Sequence, residues 1–274
     1  MISRASFERD GFLVLPDFVS PEACDALRTR ALEWVARGDP SEFSVFSAYL
    51  AGEAAATEYI HDSADKIRFF FEGDAFDAGG NLTRPKELAL CKIGHALHDC
   101  DPVFDAFSRS RQFEHLAKSL GLRKPLLAQS MYLFKQPGIG AEIGCHQDAS
   151  FIYTEPTSVV GLWTALEDAT VDNGCMWALP GGHRSGLHSR FVRNGRSDEF
   201  VVLDPTPWPD VGFVPLPAKK GTVIVLHGLL PHASKANTSP HSRHAYTLHL
   251  IDGDLPYAAD NWLQRPADNP FRGF

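Results

Sequence analysis

The chain has 274 residues, 44% of them hydrophobic and 22% charged, the composition of an ordinary globular protein. A formal charge of −8 and a pI near 5.8 exclude phosphate-backbone binding as the main activity, so no nucleic-acid polymer is expected as a partner. Five cysteines, odd in number and without a C-x-x-C pair, read as reduced thiols of a cytoplasmic protein and not as a disulfide framework.

Met1–Asp10 is charged and unlike a signal peptide, and no apolar run approaches the ~20 residues that span a bilayer, so no membrane partner is expected. A short polar helix there leads into Phe12–Leu15 as a strand. Ser20-Pro21 is an N-cap followed by proline at the first helical position. The helix it opens carries Leu27, Ala31, Trp34 and Val35 on one stripe and should pack on a sheet. Residues 39–65 read as loop with some helix, Lys66–Glu72 as a phenylalanine-rich strand, and 86–120 as helices with Ile93, Leu97, Val103, Phe104 and Phe107 apolar.

From Leu126 onward the texture is of short strands: Ala128–Gln136, Val159–Glu167, Cys175–Leu179, Phe200–Leu203, Thr222–His227 and His244–Ile251. Asp172-Asn173-Gly174 carries the signal of a hairpin with a type I′ turn. Many short strands after a helical start predict a mainly β jelly roll with N-terminal helices outside one sheet. We read one domain over 1–274: an α-rich part at 1–125, a β core at 126–252 and a C-terminal tail at 253–274, with nothing that requires more than a monomer.

Within the β core, His146-Gln147-Asp148 places an imidazole and a carboxylate two apart, on one face of an extended strand. These are two of the three ligands of the 2-His-1-carboxylate triad that holds non-heme Fe(II). A third must come from elsewhere, and by spacing His232, in a strand-like stretch 84 residues beyond Asp148 (232 − 148), is the best of several candidate histidines. Arg243 follows 11 residues later (243 − 232), and its planar fork suits a carboxylate such as the distal one of 2-oxoglutarate. That role requires Arg243 to lie on a strand paired beside His232, with Ser234 on the same face.

An H-x-D alone is weak; joined by a distal histidine and arginine it is fairly strong. Cys145 and Gln147 should face away from the metal. Lys92 and Lys66 are further anion contacts to test, and Met131 and Trp163 sit in strand-like runs where core packing is the default. His227 ends an apolar strand and reads as a satisfied histidine; His244 and His249 read as core or surface, and His183 as a hydrogen-bonding loop residue. Phe69, Phe70, Phe71, Phe151 and Tyr153 could line an apolar pocket, although aromatic runs more often make core. The absence of G-x-S-x-G, of a glycine-rich phosphate loop and of H-E-x-x-H removes the common hydrolase, nucleotide-fold and zinc-protease readings.

Several segments together resemble the phytanoyl-CoA dioxygenase family of Fe(II)- and 2-oxoglutarate-dependent oxygenases: DGFLVLPDFVS (10–20), DKIRFFFE (65–72), KIGHALHDCDPVF (92–104), QSMYLFKQP (129–137), HQDASFIYTEP (146–156), WTALEDAT (163–170) and NGCMWALPGGH (173–183), with His232 and Arg243. The resemblance covers nearly the whole chain. It implies a cupin-like double-stranded β-helix, iron held by His146, Asp148 and His232, and 2-oxoglutarate touching Lys92, Met131, Trp163, Ser234 and Arg243. It also implies hydroxylation of a small organic molecule with O2, release of succinate and CO2, and stimulation by ascorbate. Gly182 departs from the serine common in relatives at a turn expected near the site mouth. Two other readings stand beside this one: a metal- and 2-oxoglutarate-binding sensor without turnover, and a cupin-type metalloenzyme that does not use 2-oxoglutarate. Asp148 argues against a halogenase, which gives up the carboxylate ligand.

Overall fold

The computed structural model describes residues 4–46, 54–195 and 197–274; part of the stretch expected as loop with some helix, 47–53, lies outside the described residues. The strands in chain order are β1 (Phe12–Leu15), β2 (Ser44–Val45), β3 (Ile67–Phe71), β4 (Leu90–His95), β5 (Pro125–Leu133), β6 (Ile143–His146), β7 (Val160–Ala165) and β8 (Met176–Ala178). They continue with β9 (Ser189–Asn194), β10 (Ser197–Val202), β11 (Val214–Leu216), β12 (Val223–His227), β13 (His232–Ser234), β14 (Ala245–Asp252) and β15 (Arg272–Gly273). A large sheet runs β1-β12-β7-β14-β5-β4-β3-β2, with β15 added beside β5; β11-β8-β13-β6 form a smaller sheet and β9-β10 a hairpin.

Side-chain alternation divides the two faces of the large sheet. Leu162, Val223, Val225, Tyr246, Leu248 and Leu250 point outward into the main core. Trp163, Ala165, Ile224, Leu226 and Ala245 point inward onto Met176, Ala178 and Leu216 of the small sheet. The lumen between the two sheets is the jelly-roll interior that the strand pattern predicts.

The helices cover the outer face, apart from Ala54–Asp62, whose Ala56 and Ile60 pack with Phe70 on the other face of β3. They are α1 (Arg4–Asp10), α2 (Pro21–Arg37), α3 (Ala54–Asp62), α4 (Leu97–Cys100), α5 (Pro102–Ser108) and α6 (Arg111–Ser119). Ser20 caps α2 as expected, its Oγ accepting from Ala23 N at 3.2 Å, a bond worth ~1 kcal/mol. Cys24, Leu27, Ala31 and Val35 form the buried stripe, with Trp34 half-buried. Asp101 caps α5 through Val103 N and Phe104 N, and also takes Arg30 Nε at 2.6 Å and Trp34 Nε1 at 2.9 Å, tying α5 to α2. Among the described residues no helix is long and apolar enough to cross a membrane, and Cys24, Cys91, Cys100, Cys145 and Cys175 are all unpaired.

The structure corrects several expectations. Leu90–His95, expected as helix, is a strand between β3 and β5. Five of its six residues are buried, so it has no polar face to mark either period. The α-rich part at 1–125 thus gives four strands, β1 to β4, to the large sheet. Asp172-Asn173-Gly174 is no type I′ hairpin: Gly174 alone of the last two takes positive φ, 83°, and the loop links β7 of the large sheet to β8 of the small one. Asn173 spends its amide locally, accepting from Thr170 N and donating to Asp168 O. The tail at 253–274 is packed: Trp262 and Leu263 are buried and β15 pairs with β5.

Candidate active site

The H-x-D segment and His232 meet because β6 and β13 pair antiparallel with His232 directly opposite His146. The two imidazole centroids are 4.3 Å apart. Each ring is aimed by its own strand, the Nδ1 of His146 lying 2.9 Å from Gly144 O and that of His232 2.9 Å from Leu230 O. A proton on Nδ1 donated to that carbonyl leaves Nε2 as a free lone pair. Asp148, just past β6, brings Oδ1 to 3.9 Å from His146 Nε2 and 3.7 Å from His232 Nε2. One potential ligand atom from each of the three residues lies within 4.8 Å of the other two.

The protonation states agree with that arrangement. Burial, then His232 beside it, pushes the His146 imidazole down to about 4, so it is neutral at pH 7. Burial works to raise the Asp148 carboxyl, but His249, His232 and His146 around it outweigh burial and hold it below the ordinary carboxylate range. A neutral imidazole and an ionised carboxylate are the forms that coordinate a metal. Asp148 Oδ2 is buried without a hydrogen-bond partner. The set fits Fe(II) bound by three protein ligands on one side, with the remaining positions open. Gln147 faces away as expected, donating to Gly186 O and Leu229 O and accepting from His188 N.

Inward-facing rows of the large sheet run from this centre toward Arg243. Gln129, His249 and Gly161 lie abreast, then Met131, Thr247 and Trp163, then Lys92, Leu133, Ala245 and Ala165. The four residue steps from His249 to Ala245 span ~13 Å. Arg243 sits just before β14 of the large sheet, so the requirement that it lie on a strand paired beside His232 is not met; it reaches Ser234 across the lumen from the opposite sheet. Its Nη2 donates to Ser234 Oγ at 3.2 Å and its Nε to Gly174 O at 3.1 Å, with the guanidinium 5.3 Å from the Trp163 ring centroid. Arg243 is 1% exposed, its Nη1 is buried without a partner, and among the described residues it makes no ion pair. Burial pulls it down to about 10, still cationic. A buried, unneutralised cation with a spare donor is costly unless an anion joins it.

Lys92 is also buried, its Nζ 3.7 Å from the Phe46 ring centroid, and burial lowers it to about 8. Lys66 is no part of the site; it pairs with Asp62 at the surface. Beside His146, a cleft of about 110 Å³ is lined by Ser150, Phe151, His188, Phe200 and Trp208 among others. Of the expected pocket aromatics, Phe69 and Phe71 belong to the main core, Phe70 packs with Phe151 and Phe191, and Tyr153 hydrogen-bonds Glu155 at the surface.

The remaining histidines divide. His227 accepts from Leu229 N, His183 Nε2 lies 3.1 Å from Glu8 O, and His244 Nδ1 lies 2.7 Å from Tyr132 OH. His249 does not follow its expected core or surface role, because its Nε2 is 3.2 Å from Asp148 Oδ1. Inward parity with Ala245 and Thr247 was the available signal. A Cβ on Gly182 would meet Pro231 Cδ at 2.8 Å, which accounts for glycine in that turn.

Residues 7–245 match the family described as phytanoyl-CoA dioxygenase (PhyH). The chain is 46% identical over 261 residues to a phytanoyl-CoA dioxygenase of Arabidopsis thaliana, covering 94% of this chain and 91% of that protein. It is 45% identical over 275 residues to phytanoyl-CoA dioxygenase domain-containing protein 1 of Bos taurus, covering 97% and 94%. Among solved structures, EctD from S. alaskensis with 2-oxoglutarate and 5-hydroxyectoine superposes with a TM-score of 0.66 at 19% identity, covering 97% of this chain and 84% of that one. The non-heme alpha ketoglutarate dependent epimerase SnoN gives 0.65 at 15%, covering 97% and 89%. These two likenesses establish the cupin-like jelly-roll fold.

Proposed function

This chain belongs to the phytanoyl-CoA dioxygenase family of 2-oxoglutarate-dependent non-heme iron dioxygenases, and on that premise we propose that it hydroxylates a small organic substrate, with release of succinate and CO2. His146, Asp148 and His232 hold Fe(II), and Arg243 holds the distal carboxylate of 2-oxoglutarate. The observation that carries this reading is the pairing of ends. Three mutually close ligand groups stand at one end of the lumen, and a buried cation with an unpartnered Nη1 stands at the other.

The bound iron supplies O2 activation coupled to decarboxylation of the keto acid. The protein's own part is positional. Gly144 O and Leu230 O fix the ring orientations of His146 and His232. Arg243 Nη1 and Nη2 present donors to a carboxylate beside Ser234 Oγ, which steadies the guanidinium by accepting from Nη2 while its own proton goes to Gly174 O, and Met131 and Trp163 close the space between the ends and exclude water. Lys92 adds a second positive charge near that carboxylate. Phe151 and Phe200 give the cleft beside His146 an apolar wall, and Ser150 and His188 give it polar points, which suits a small substrate with both characters.

Succinate formation from 2-oxoglutarate in air, with Fe(II) and ascorbate, tests the reading. Wild type should make succinate where His146→Ala and Asp148→Ala do not, and test compounds that stimulate it become the substrate screen. Tight binding of 2-oxoglutarate by calorimetry, with no succinate under any condition, would instead identify a sensor. Activity that survives Arg243→Ala unchanged would identify a metalloenzyme that does not use 2-oxoglutarate.

A further inference from the structure

We propose that His249 is a positioning residue for the metal centre: its Nε2–H holds Asp148 Oδ1 turned toward His146 and His232, while the bare Cα of Gly161 makes room for Oδ2. The inference rests on the reading of His146, Asp148 and His232 as the ligands.

An aspartate carboxylate rotates freely about its last bond unless something fixes it. Among the described residues, His249 Nε2 at 3.2 Å is the side-chain group within hydrogen-bond distance of Asp148; the nitrogens of His232 and His146 stand further off at 3.7 and 3.9 Å. The approach is to Oδ1, the same oxygen that faces the two imidazoles. His249 lies outside the group of mutually close ligand atoms, so it acts on the carboxylate and not on the metal.

The sheet shows why this histidine reaches. In β14 the ladder with β5 shifts register between His249 and Leu250, an irregularity of the kind that re-aims a side chain. Across the other edge His249 stands opposite Gly161 on β7. A Cβ built on Gly161 would lie 2.6 Å from Asp148 Oδ2 and 3.7 Å from His249 Cδ2. Gly161 has no positive φ to explain it, so the close approach of the carboxylate is what requires glycine. The two residues therefore act on opposite oxygens of one carboxylate, His249 by a hydrogen bond and Gly161 by leaving space.

The test is titration of the full-length apoprotein with Mn(II), followed by calorimetry, with a melting scan of each variant to show that it is folded. His249→Phe keeps the ring volume and removes the donor; it should weaken Mn(II) binding by about 10–100-fold. His249→Gln restores an N–H donor and should recover affinity to within about threefold of wild type. Folded His249→Phe that binds Mn(II) within about twofold of wild type would overturn the inference. Should His249→Phe unfold, Gly161→Ala is read in its place: weakened binding by a folded protein supports the inference, and unchanged binding overturns it. Wild type that binds no Mn(II), like the Asp148→Ala control, would remove the ligand assignment itself, and this inference with it.

Discussion

The two ends of the lumen are built by different means. At the metal end each imidazole is aimed by a carbonyl two residues earlier in its own chain, Gly144 O for His146 and Leu230 O for His232. At the other end Arg243 is held by Gly174 O, which is 69 residues away in sequence, by Ser234 on the facing sheet and by the Trp163 ring. The two imidazoles of the metal end therefore need only two paired strands, with Asp148 alone leaning on the large sheet through His249 and Gly161, whereas the anion end needs both sheets and the loop between β7 and β8. The imidazoles should tolerate distant change and the anion end should not.

The strongest break of this comparison comes from the ligands. His146→Ala or Asp148→Ala should cut succinate formation by about 10³-fold or more and abolish Mn(II) binding. Arg243→Ala should do the reverse: Mn(II) affinity stays at the wild-type value, while the KM for 2-oxoglutarate rises about 10²-fold, within the ~2–5 kcal/mol lost when one partner of a buried charge pair is truncated. Arg243→Lys should recover only part of that, because a point charge cannot reproduce two parallel donors.

Gly174→Ala separates local from distant support. Its φ is 83°, and an added Cβ would lie 2.6 Å from Lys235 O and 2.7 Å from Lys135 Cε. The displaced carbonyl should raise the KM for 2-oxoglutarate by about tenfold, from ~1–3 kcal/mol of strain, and leave metal affinity alone.

The smallest effect is one of pH. Lys92, lowered by burial to about 8, is cationic below that value and loses its charge as pH rises through it. In kcat/KM profiles for 2-oxoglutarate the wild type should fall about fivefold across that range, and Lys92→Met should be low and flat there. A residual slope near pH 7 in that variant would belong to Lys135, which burial and the neighbouring Arg243 hold down to about 7.

The same contrast explains what could be read from the chain alone. That His146 and Asp148 share a face is legible because a strand period of two is a local fact, whereas spacing marks His232 only as the best of several histidines. Arg243 was legible as a residue but not in its placement, since spacing cannot say which sheet a strand joins. Gly174 reads as hairpin punctuation because nothing local shows that its carbonyl serves Arg243 and Ser234. Leu90–His95 looked helical because a strand buried on both faces loses the alternation that would mark it. Among twelve histidines His249 reads as core or surface, although its parity with Ala245 and Thr247 places it on the lumen side.

The edge strand β1 has a consequence for how the molecule is made. Phe12 pairs with Leu226, a separation of 226 − 12 = 214 residues. During synthesis this early apolar segment emerges long before its partner and must wait, unpaired, for nearly the whole chain. The central pairing of β5 with β14 is also long-range, so the β2-β3-β4-β5 half of the large sheet can form early but the β14-β7-β12-β1 half joins it only late. Closure of the sheet is then a late event, and His232 is translated only six residues after Leu226 (232 − 226). A ribosome-stalled chain ending before residue 223 would expose an unpaired β1, a ready template for aggregation and a natural client for chaperones.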